Sequence, residues 1–352
     1  MEYRKLKENV MEKPNIAIIF GGESSEYEVS LSSAYSVLSE IDKEKYNILK
    51  IGITKNGKWY LYEGDNSLIL NDTWHKSAQK RELFIDINKG EILAEGEPLL
   101  INKVLPILHG EYGEDGRLGA LFEILKIDYS GCGFFSSAIS MDKDTTKLIA
   151  EREGVKVAKW LVVYEQDLKN EAKILKEARK IGYPVFVKPS RGGSSVGVGQ
   201  AKAECELLPL VKNALRVSKK VIIEEKINGT ETEIAVVNKN GKPYLSTLGQ
   251  IKYKTEFYDY DAKYNSSEID YIIPARITKE SEKKLRQYAK KLYRTLEIKD
   301  LSRMDFFVLD SGEVVFNEVN TFPGFTGISM FPKLLMHDGH SFKNIINYIL
   351  NI

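Results

Sequence analysis

Acidic and amide side chains near the end of the chain have a spacing that suits a divalent cation. Asp305 is followed, after a short turn, by Glu318 and Asn320. Because residues two apart on a strand share a face, Glu318 and Asn320 should project together, with Asp305 opposite them on the partner strand. Two carboxylates and an amide oxygen suit Mg²⁺, particularly when substrate phosphates complete its shell. Taken alone, a solvated hairpin with incidental acids is an equal alternative.

A glycine–serine loop at residues 191–197 lies between two apolar strands and can approach a phosphate group. Glycine permits close backbone approach, and serial N–H groups with the hydroxyls of Ser194 and Ser195 can cradle an anion. Lys188 ends the preceding strand and Lys143 opens the segment before it, so two point charges flank the loop. The order of a Walker A loop is missing. A plain flexible turn is the alternative, but the two lysines favour a nucleotide.

Further polar residues follow two apolar strands early in the chain. Glu26 and Glu28 lie at the start of a helix, where a serine N-cap and acidic residues in the first turn are favoured. Glu26 can instead hold a substrate ammonium. His109 follows another strand, where a lone histidine is more often structural than catalytic. An aromatic, charged loop at 255–264 is typical of a lid over a ligand or of an irregular surface loop.

The apolar patterning predicts the elements that position these residues. Near the start, buried strands alternate with helically spaced segments at 15–20, 29–41, 46–53, 103–108 and 118–125. Such alternation predicts a Rossmann-like α/β domain that runs to about residue 133. In such sheets ligands gather beyond the carboxyl ends of the strands, where both Gly21 and His109 lie.

The second part of the chain predicts a different architecture. Helices are predicted at 142–154, 170–181, 205–216 and 280–296, and strands at 160–164, 184–188, 196–201 and 221–226. From residue 230 onward the pattern indicates long antiparallel strands, and a hairpin at 303–319 turns at 310–312. No internal repeat and no low-complexity tract interrupts this order.

The composition limits the classes of partner. The chain has 352 residues, of which 43% are hydrophobic and 29% charged, which suits two or three soluble domains. A net charge of +1 gives no positive field for nucleic acid or an anionic membrane. No apolar run reaches the ~20 residues of a membrane span, and the charged start lacks the core of a signal peptide. Two cysteines without paired spacing, Cys132 and Cys205, suit a reducing cytoplasm.

Taken together and in order, these residues resemble the D-alanine–D-alanine ligase family of the ATP-grasp superfamily. The matching stretches are 21–30, 108–110, 113–116, 141–143, 187–197, 257–264, 317–326 and 329–330. They cover nearly all of the chain after the first dozen residues, and their shared order and spacing carry the specificity. The resemblance implies an ATP-grasp fold, α/β and α+β, with an N-terminal Rossmann-like (pre-ATP-grasp) domain. It implies a substrate domain at 1–133, a central lid subdomain at 134–228 and a C-terminal domain at 229–352.

The resemblance also implies roles in binding ATP and Mg²⁺, with two ions expected and Mn²⁺ as a possible substitute. Lys143 and Lys188 match the phosphate-binding lysines, and Ser194 and Ser195 lie in the lid over the phosphates. The positions matched to the adenine and ribose contacts and to other nucleotide-binding residues are Glu224, Ile227, Glu231 and Phe257. The matched magnesium ligands are Asp305, Glu318 and Asn320.

The implied reaction joins two D-alanines through an acyl phosphate, for peptidoglycan precursor synthesis. Arg303 and the N–H of Gly324 would stabilise the tetrahedral oxyanion. Glu26 would hold the first ammonium, with His109 near the first carboxylate. By the same resemblance Ser194, Tyr264 and Glu26 form a hydrogen-bonded set, and the second carboxylate docks at Lys263, Ser329 and Met330. Loop closure would keep water from the acyl phosphate.

The second substrate is the point at which the resemblance leaves alternatives open. Tyr27 stands where many members carry His or Arg, and tyrosine there also occurs in relatives that use D-serine. Met330 resembles the D-alanine type, and Tyr264 argues against the D-lactate type. The alternatives are a D-alanine–D-serine ligase, another ATP-grasp carboxylate–amine ligase, or an ATP-binding protein without catalysis. The family also suggests a homodimer formed through the N-terminal domain.

Overall fold

Three β-sheets follow one another along the chain. The computed structural model describes residues 13–193, 196–239, 241–253 and 269–352. The first sheet has seven strands, the second four and the third five. Helices cover the faces of these sheets, and within the described residues no helix combines the length and apolarity needed to cross a bilayer. The mixed α/β and α+β class expected from the sequence is confirmed.

The first sheet combines a parallel centre with an antiparallel extension. Its strands are β1 Asn15–Gly21, β2 Asn47–Ile53, β3 Trp59–Tyr62, β4 Lys80–Asp86, β5 Glu91–Ala94, β6 Glu97–Pro98 and β7 Lys103–Ile107. The order is β6-β5-β4-β3-β2-β1-β7, and only the pairs β1–β2 and β1–β7 are parallel. Its helices are α1 Tyr27–Glu40, α2 Ser67–Leu70 and α3 Arg117–Leu125. The Rossmann-like pattern therefore describes β1, β2 and β7, whereas β3 to β6 form a meander at one side.

The second sheet is antiparallel and carries the glycine–serine loop. Its strands are β8 Trp160–Tyr164, β9 Val185–Pro189, β10 Gly199–Ala201 and β11 Lys220–Glu225, in the order β10-β9-β11-β8. Before and around it lie α4 Phe134–Met141, α5 Lys143–Arg152, α6 Glu171–Ile181 and α7 Glu204–Val217. Alternate residues of β9 are buried, so that Val185 and Val187 pack on the helices while Lys188 faces the other way.

The third sheet supplies the acidic hairpin. Its strands are β12 Thr230–Lys239, β13 Lys242–Tyr253, β14 Ile269–Ile272, β15 Leu301–Val308 and β16 Val314–Asn320, in the order β14-β13-β12-β15-β16. The helices of this part are α8 Lys279–Thr295, α9 Met330–His337 and α10 Phe342–Leu350. The two last helices pack with β1 and α1 in one apolar cluster, so that the first and third sheets share a core. This shared core fixes the two sheets relative to each other.

Side-chain N-caps begin α5, α6, α8 and α10, whereas the other described helices, α1 included, begin without one. Asp142 is the N-cap of α5, where its side chain accepts a hydrogen bond from the backbone N–H of Thr145. The serine N-cap expected for α1 is wrong. Glu26 occupies that position without a side-chain cap, while Ser24 accepts from the Glu26 N–H and donates to the His109 carbonyl. Ser24 therefore ties the start of α1 to the end of β7 instead of capping the helix.

Candidate active site

A cleft of about 1170 Å³ lies where the three sheets meet. Its wall includes every described residue to which the sequence assigns a role, namely Glu26, His109, Lys143, Lys188, Glu224, Ile227, Glu231, Arg303, Asp305, Glu318, Asn320, Gly324, Ser329 and Met330. Five further candidates, Ser194, Ser195, Phe257, Lys263 and Tyr264, lie outside the described residues. The structure thus brings residues from distant parts of the chain to one cavity, and their individual roles stay predictions.

The acidic hairpin has the expected register. Asp305 pairs with Glu318 and Arg303 with Asn320 across β15 and β16, and a bulge follows Asp305. Val319 is buried between the two polar residues that flank it, as alternation along a strand requires. Asn320 Nδ2 donates to Asp305 Oδ2 at 3.1 Å. The amide nitrogen therefore faces the carboxylate, and the hairpin presents its oxygen-bearing side chains together.

The donor set of the hairpin fits a hard divalent cation. It consists of oxygens, which Mg²⁺ prefers, and phosphates would complete the shell. Among the residues that the structure describes, no three His, Cys, Asp or Glu side chains form a metal cluster, because the third donor here is an asparagine. Glu318 Oε2 lies 3.7 Å from Lys143 Nζ. The candidate metal site and a candidate phosphate ligand are therefore neighbours.

Lys188 belongs to a buried charge triad. Glu224 lies between two lysines, with Oε1 at 3.1 Å from Lys188 Nζ and Oε2 at 3.0 Å from Lys147 Nζ. Burial would raise the pKa of the Glu224 carboxyl, but the two ammonium groups outweigh burial and lower that pKa to about 2. Burial likewise opposes the charge of Lys188, yet Glu224 and Glu318 raise its pKa. Lys188 therefore stays positively charged at the mouth of the loop.

Asp142 holds the base of the glycine–serine loop. Its Oδ1 accepts from Ser190 Oγ at 3.0 Å and lies 2.6 Å from Lys220 Nζ, while Oδ2 accepts from Arg191 Nε at 2.9 Å. Burial would raise its pKa, but Lys220, the Thr145 N–H and Arg191 lower it to about 2. The N–H of the next residue, Lys143, donates to the Ser190 carbonyl at 2.9 Å. The carboxylate thus keeps Lys143 beside the loop.

Arg303 lies mostly buried between two carboxylates. Its Nε and Nη2 donate to Asp305 Oδ1 and Oδ2, both at 2.8 Å, and Nε lies 3.1 Å from Glu233 Oε2. Burial opposes its charge, but Asp305 and Glu233 raise the pKa of the guanidinium well above its usual value. A carboxylate has about four lone-pair sites, so this fork does not exhaust Asp305 as a metal ligand. Arg303 supplies a fixed positive charge beside the hairpin.

The glycine–serine loop lies against Glu26. A Cβ atom placed on Gly193 would come within 2.7 Å of Glu26 Oε1, and one on Gly110 within 3.4 Å of its Oε2. A side chain at Gly193 would therefore displace the carboxylate, whereas the distance at Gly110 is an ordinary van der Waals contact. The structure therefore joins the end of β7, the start of α1 and the loop around one buried glutamate.

His109 uses both ring nitrogens within the protein. Nδ1 lies 3.0 Å from the Phe322 carbonyl oxygen, and Nε2 lies 3.0 Å from Ser33 Oγ. The ring is 2% exposed, and Glu114 Oε1 lies 3.8 Å from Nδ1. Burial would lower the pKa of His109, but Glu114 outweighs burial and raises it. The histidine has the environment of a structural residue although it borders the cleft.

Several residues of the site escaped the sequence reasoning. They are Ser33, Glu114, Lys147, Lys220 and Glu233. Two of them had a detectable signal: Lys147 is four residues after Lys143 on one helix face, and Glu233 is two residues after Glu231 on one strand face. The tertiary fold alone brings the other three next to the site, where Ser33 contacts His109, Glu114 lines the cleft and Lys220 contacts Asp142. Their positions depend on contacts between distant elements, which spacing does not reveal.

The fold and cleft define a class before any comparison. Two lysines face an oxygen-donor hairpin across a cavity formed by antiparallel sheets, next to a glycine–serine loop, and this arrangement is that of an ATP-grasp carboxylate–amine ligase. The chain belongs to the D-alanine–D-alanine ligase family: the models for the D-ala D-ala ligase N-terminus and C-terminus match residues 15–132 and 149–351. This membership implies use of ATP and a divalent metal ion.

Individual relatives agree over nearly the whole chain. The D-alanine–D-alanine ligase of Ruminiclostridium cellulolyticum is 41% identical over 97% of this chain and 96% of its own, and D-alanine–D-alanine ligase B of Clostridium tetani is 42% identical over 98% and 95%. Among solved structures, the VanG D-Ala:D-Ser ligase of Enterococcus faecalis has a TM-score of 0.88 at 36% identity, covering 96% of this chain and 99% of that one. The D-alanine–D-alanine ligase of Coxiella burnetii has a TM-score of 0.85 at 30% identity, with 97% and 94% covered.

Proposed function

We propose that this chain joins two D-alanine molecules into D-alanyl-D-alanine at the expense of ATP, for peptidoglycan precursor synthesis. The observation that carries the proposal is the 3.7 Å approach of Lys143 to Glu318, which brings a lysine of the cleft next to the acidic hairpin. The full-length similarity to D-alanine–D-alanine ligases of bacteria supports the choice of substrates. The same cleft accommodates both halves of the reaction.

In the first half, the carboxylate of one D-alanine attacks the γ-phosphate of ATP and gives an acyl phosphate and ADP. Lys143 and Lys188 compensate the negative charge that approaches along this path. A divalent ion held by Asp305, Glu318 and Asn320 supplies further charge neutralisation at the phosphates when it is bound. We expect two Mg²⁺ ions, with Mn²⁺ as a substitute.

In the second half, the amine of the other D-alanine attacks the acyl carbon. Charge develops on the carbonyl oxygen, where the Arg303 guanidinium and the Gly324 N–H act as the oxyanion donors. Glu26 holds the ammonium of the first substrate. Ser329 and Met330 border the docking place of the second carboxylate, together with Lys263 from outside the described residues. Ser194 and Tyr264 complete the hydrogen-bonded set with Glu26.

The adenine and ribose occupy the part of the cleft bordered by Glu224, Ile227 and Glu231. Phe186 and Phe307 also line this region, so that apolar rings are available to cover a planar base. Ser195 and Phe257 belong to the same nucleotide site in this proposal. Burial of the base beside the Lys188–Glu224 pair keeps the triphosphate directed toward the hairpin.

The second substrate is D-alanine in this proposal, and D-serine is the alternative that a specific observation supports. The solved D-Ala:D-Ser ligase of Enterococcus faecalis is structurally similar to this chain. Against it stand the curated relatives, which are D-alanine–D-alanine ligases at up to 42% identity. Met330 is 3% exposed and borders the acceptor end with an apolar side chain. An apolar wall suits the methyl group of D-alanine better than a hydroxyl.

We further propose the domain limits 1–133, 134–228 and 229–352, a cytoplasmic location and a homodimer. The free thiols of Cys132 and Cys205 support the reducing compartment. For the dimer, Ile124 of α3 and Phe134 and Phe135 of α4 expose 59%, 46% and 50% of their surface at the boundary between the N-terminal and central domains. Sedimentation equilibrium tests the dimer, and an I124D variant that remains as associated as the native chain would exclude this face.

The function is tested by ADP release from the purified chain. D-alanine alone should trigger ADP release in the presence of Mg²⁺ and ATP, and D-alanyl-D-alanine should accumulate in equal amount. A requirement for D-serine besides D-alanine would favour the alternative ligase. An absence of ADP release with any D-amino acid pair would contradict the proposal.

A further inference from the structure

We propose that Ser33, a buried residue of α1, is a positioning residue for acyl transfer, because together with His109 it fixes the loop that presents the Gly324 N–H. This inference rests on the proposed function, which assigns Gly324 to the oxyanion. The loop follows β16 at residues 321–326. Ser33 does not itself line the cleft, and it reaches the cleft wall only through His109 and this loop.

Two anchors hold the loop on either side of Gly324. On one side, the Phe322 carbonyl oxygen accepts from His109 Nδ1 at 3.0 Å. On the other, the Phe325 N–H donates to Ser33 Oγ at 3.3 Å. Ser33 Oγ and His109 Nε2 lie 3.0 Å apart, so the two anchors are joined to each other. Gly324 lies between two fixed peptide groups.

The hydrogen-bond inventory of these groups is complete. A carbonyl oxygen only accepts, so Nδ1 of His109 carries a hydrogen. In the neutral ring Nε2 then accepts from the Ser33 hydroxyl, and Ser33 Oγ still accepts from the Phe325 N–H. In the charged ring Nε2 donates to Ser33 Oγ, and both anchors persist. Both ring nitrogens of His109 therefore serve the loop, and its place near the first carboxylate stays a prediction.

Burial confines the loop while its centre reaches the cleft. Phe322 and Phe325 are 3% and 1% exposed and pack with the core shared by the first and third sheets. Thr321 Oγ1 donates to the Glu114 carbonyl at 3.3 Å, and the Thr326 N–H donates to Ser329 Oγ at 3.2 Å. Within residues 321–326 only Gly324 and Thr326 are less than fully buried, and Gly324 borders the cavity. The orientation of its N–H therefore follows from the anchors.

Ser30 provides a matched control on the same helix. It is as fully buried as Ser33, and its hydroxyl also joins two main-chain groups: it accepts from the Gly21 N–H at 2.8 Å and donates to the Ile107 carbonyl. These partners belong to β1 and β7 and not to the loop. Replacement of either serine by alanine removes the same atoms from the same depth, but only one replacement releases Phe325.

The experiment compares S33A, S30A and the native chain by kcat for ADP release, KM for ATP and melting temperature. We expect similar melting temperatures for the two variants and a fall in kcat of about 10²-fold for S33A alone, because displacement by about 1 Å has this effect on a reacting group. The KM for ATP should stay within about twofold, since the nucleotide site is untouched. An equal kcat in both variants, or a matching change in KM for ATP, would overturn the proposal.

Hydrogen exchange of residues 321–329 decides the anchoring independently of turnover. Faster exchange in S33A than in S30A supports the anchor, and equal exchange overturns it even if the native chain proves to have another activity. Absence of activity in the native chain would instead contradict the proposed function. If S33A does not fold, S33C keeps the volume and a weak donor, and it should lie between S33A and the native chain in both kcat and exchange.

Discussion

The two ends of the cleft are held by different forces. At the nucleotide end, Lys188 and Lys147 are fixed by the carboxylate of Glu224 through ion pairs of 3.0–3.1 Å. At the acyl-transfer end, Ser33 and His109 fix the backbone of a loop through hydrogen bonds. Ion pairs between buried charged side chains therefore hold one end of the cleft, and hydrogen bonds to the backbone hold the other.

This difference follows the chemistry that each end performs. A triphosphate brings several negative charges, so lysines must be kept charged and close before it arrives. A buried ion pair gives little net stability because desolvation offsets the attraction, and its retention here suits ligand binding. The acyl-transfer end needs an N–H at a fixed place, and backbone hydrogen bonds give direction without a surplus charge. Substitutions at the two ends should therefore change different properties of the protein.

Glu318→Ala should have the largest effect, because it removes a proposed metal ligand and leaves Lys143 without the carboxylate 3.7 Å away. We expect kcat for ADP release to fall at least about 10³-fold, the loss of several kcal/mol that charge stabilisation in such sites supplies. The melting temperature should change little because Glu318 borders the cavity. Kinetics and thermal unfolding check both statements.

Glu313→Ala is the matched control for this substitution. Glu313 belongs to the same hairpin, is exposed and pairs with Lys156 away from the cleft. Its replacement should leave kcat unchanged. Native turnover in Glu318→Ala would contradict the metal assignment.

Glu224→Gln tests the ion pairs of Glu224 with Lys188 and Lys147, because the stability that they contribute depends on pH. The folded-state pKa of about 2 lies below the ordinary value of 4.5, so the carboxylate stabilises the fold above pH 4.5 and this contribution disappears as pH falls toward 2. At pH 7 the variant should lose about 3 kcal/mol, because two ammonium groups remain without their anion. Urea unfolding at pH 7 and at a series from pH 5 to 3 measures the difference.

The difference in free energy of unfolding between the native chain and Glu224→Gln should become smaller as the pH falls from 5 to 3. Glu177→Gln serves as the control, because Glu177 belongs to an exposed pair with Lys180 on α6. If this difference in free energy of unfolding stays constant between pH 5 and 3, the substitution acts through packing and not through the lost charge. In that case ion pairs would not distinguish the proposed nucleotide end of the cleft from the acyl-transfer end.

Lys188→Ala should act on ATP binding more than on the fold. Loss of one charge-assisted bond to phosphate is worth about 2 kcal/mol, so KM for ATP should rise about 10- to 100-fold. Lys147 still compensates Glu224, so the melting temperature should fall less than in Glu224→Gln. Nucleotide titration and thermal unfolding separate the two effects.

Lys180→Ala, an exposed lysine of α6, is the control for charge removal as such. It should leave KM for ATP unchanged. If Lys188→Ala lowers kcat while ATP binding stays native, the lysine belongs to the chemical step and not to binding.

The sequence predicted those parts of the fold in which local patterning decides the structure. The strand at Trp160–Tyr164 and the helix at Lys279–Thr295 occur within one residue of their predicted bounds, because apolar periodicity and capping are local. The strands β3 to β6 and the helices α9 and α10 were not predicted. The short strand β6 is an exposed Glu–Pro pair without any apolar signal. The helix α10 did have a local signal, because Ser341 caps it and its buried residues Ile345, Ile346, Ile349 and Leu350 are helically spaced, and the sequence reasoning overlooked it.

In the candidate site, too, the sequence predicted what local patterning decides and missed what depends on tertiary contacts. The pairing of Asp305 with Glu318 followed from strand alternation and the turn, so a local rule sufficed. Ser33 lies 76 residues before His109 and 292 before Phe325, and no spacing rule joins them. The resemblance to a family supplied the positions that are predicted to touch ligands. It did not supply the residues that hold those positions in place.

Arg191→Ala should have the smallest effect. It tests whether burial decides how much an ion pair of Asp142 contributes to the free energy of unfolding. Arg191 and Lys220 bind the same carboxylate of Asp142, but their side chains are 71% and 15% exposed. Water and salt screen the exposed pair, so Arg191→Ala should cost less than about 1 kcal/mol, and less still at high salt. Lys220→Ala should cost clearly more, because Asp142 and Asp144 would lose a buried partner. Urea unfolding at low and high salt measures both, and equal losses would mean that distance rather than burial sets the value of these pairs.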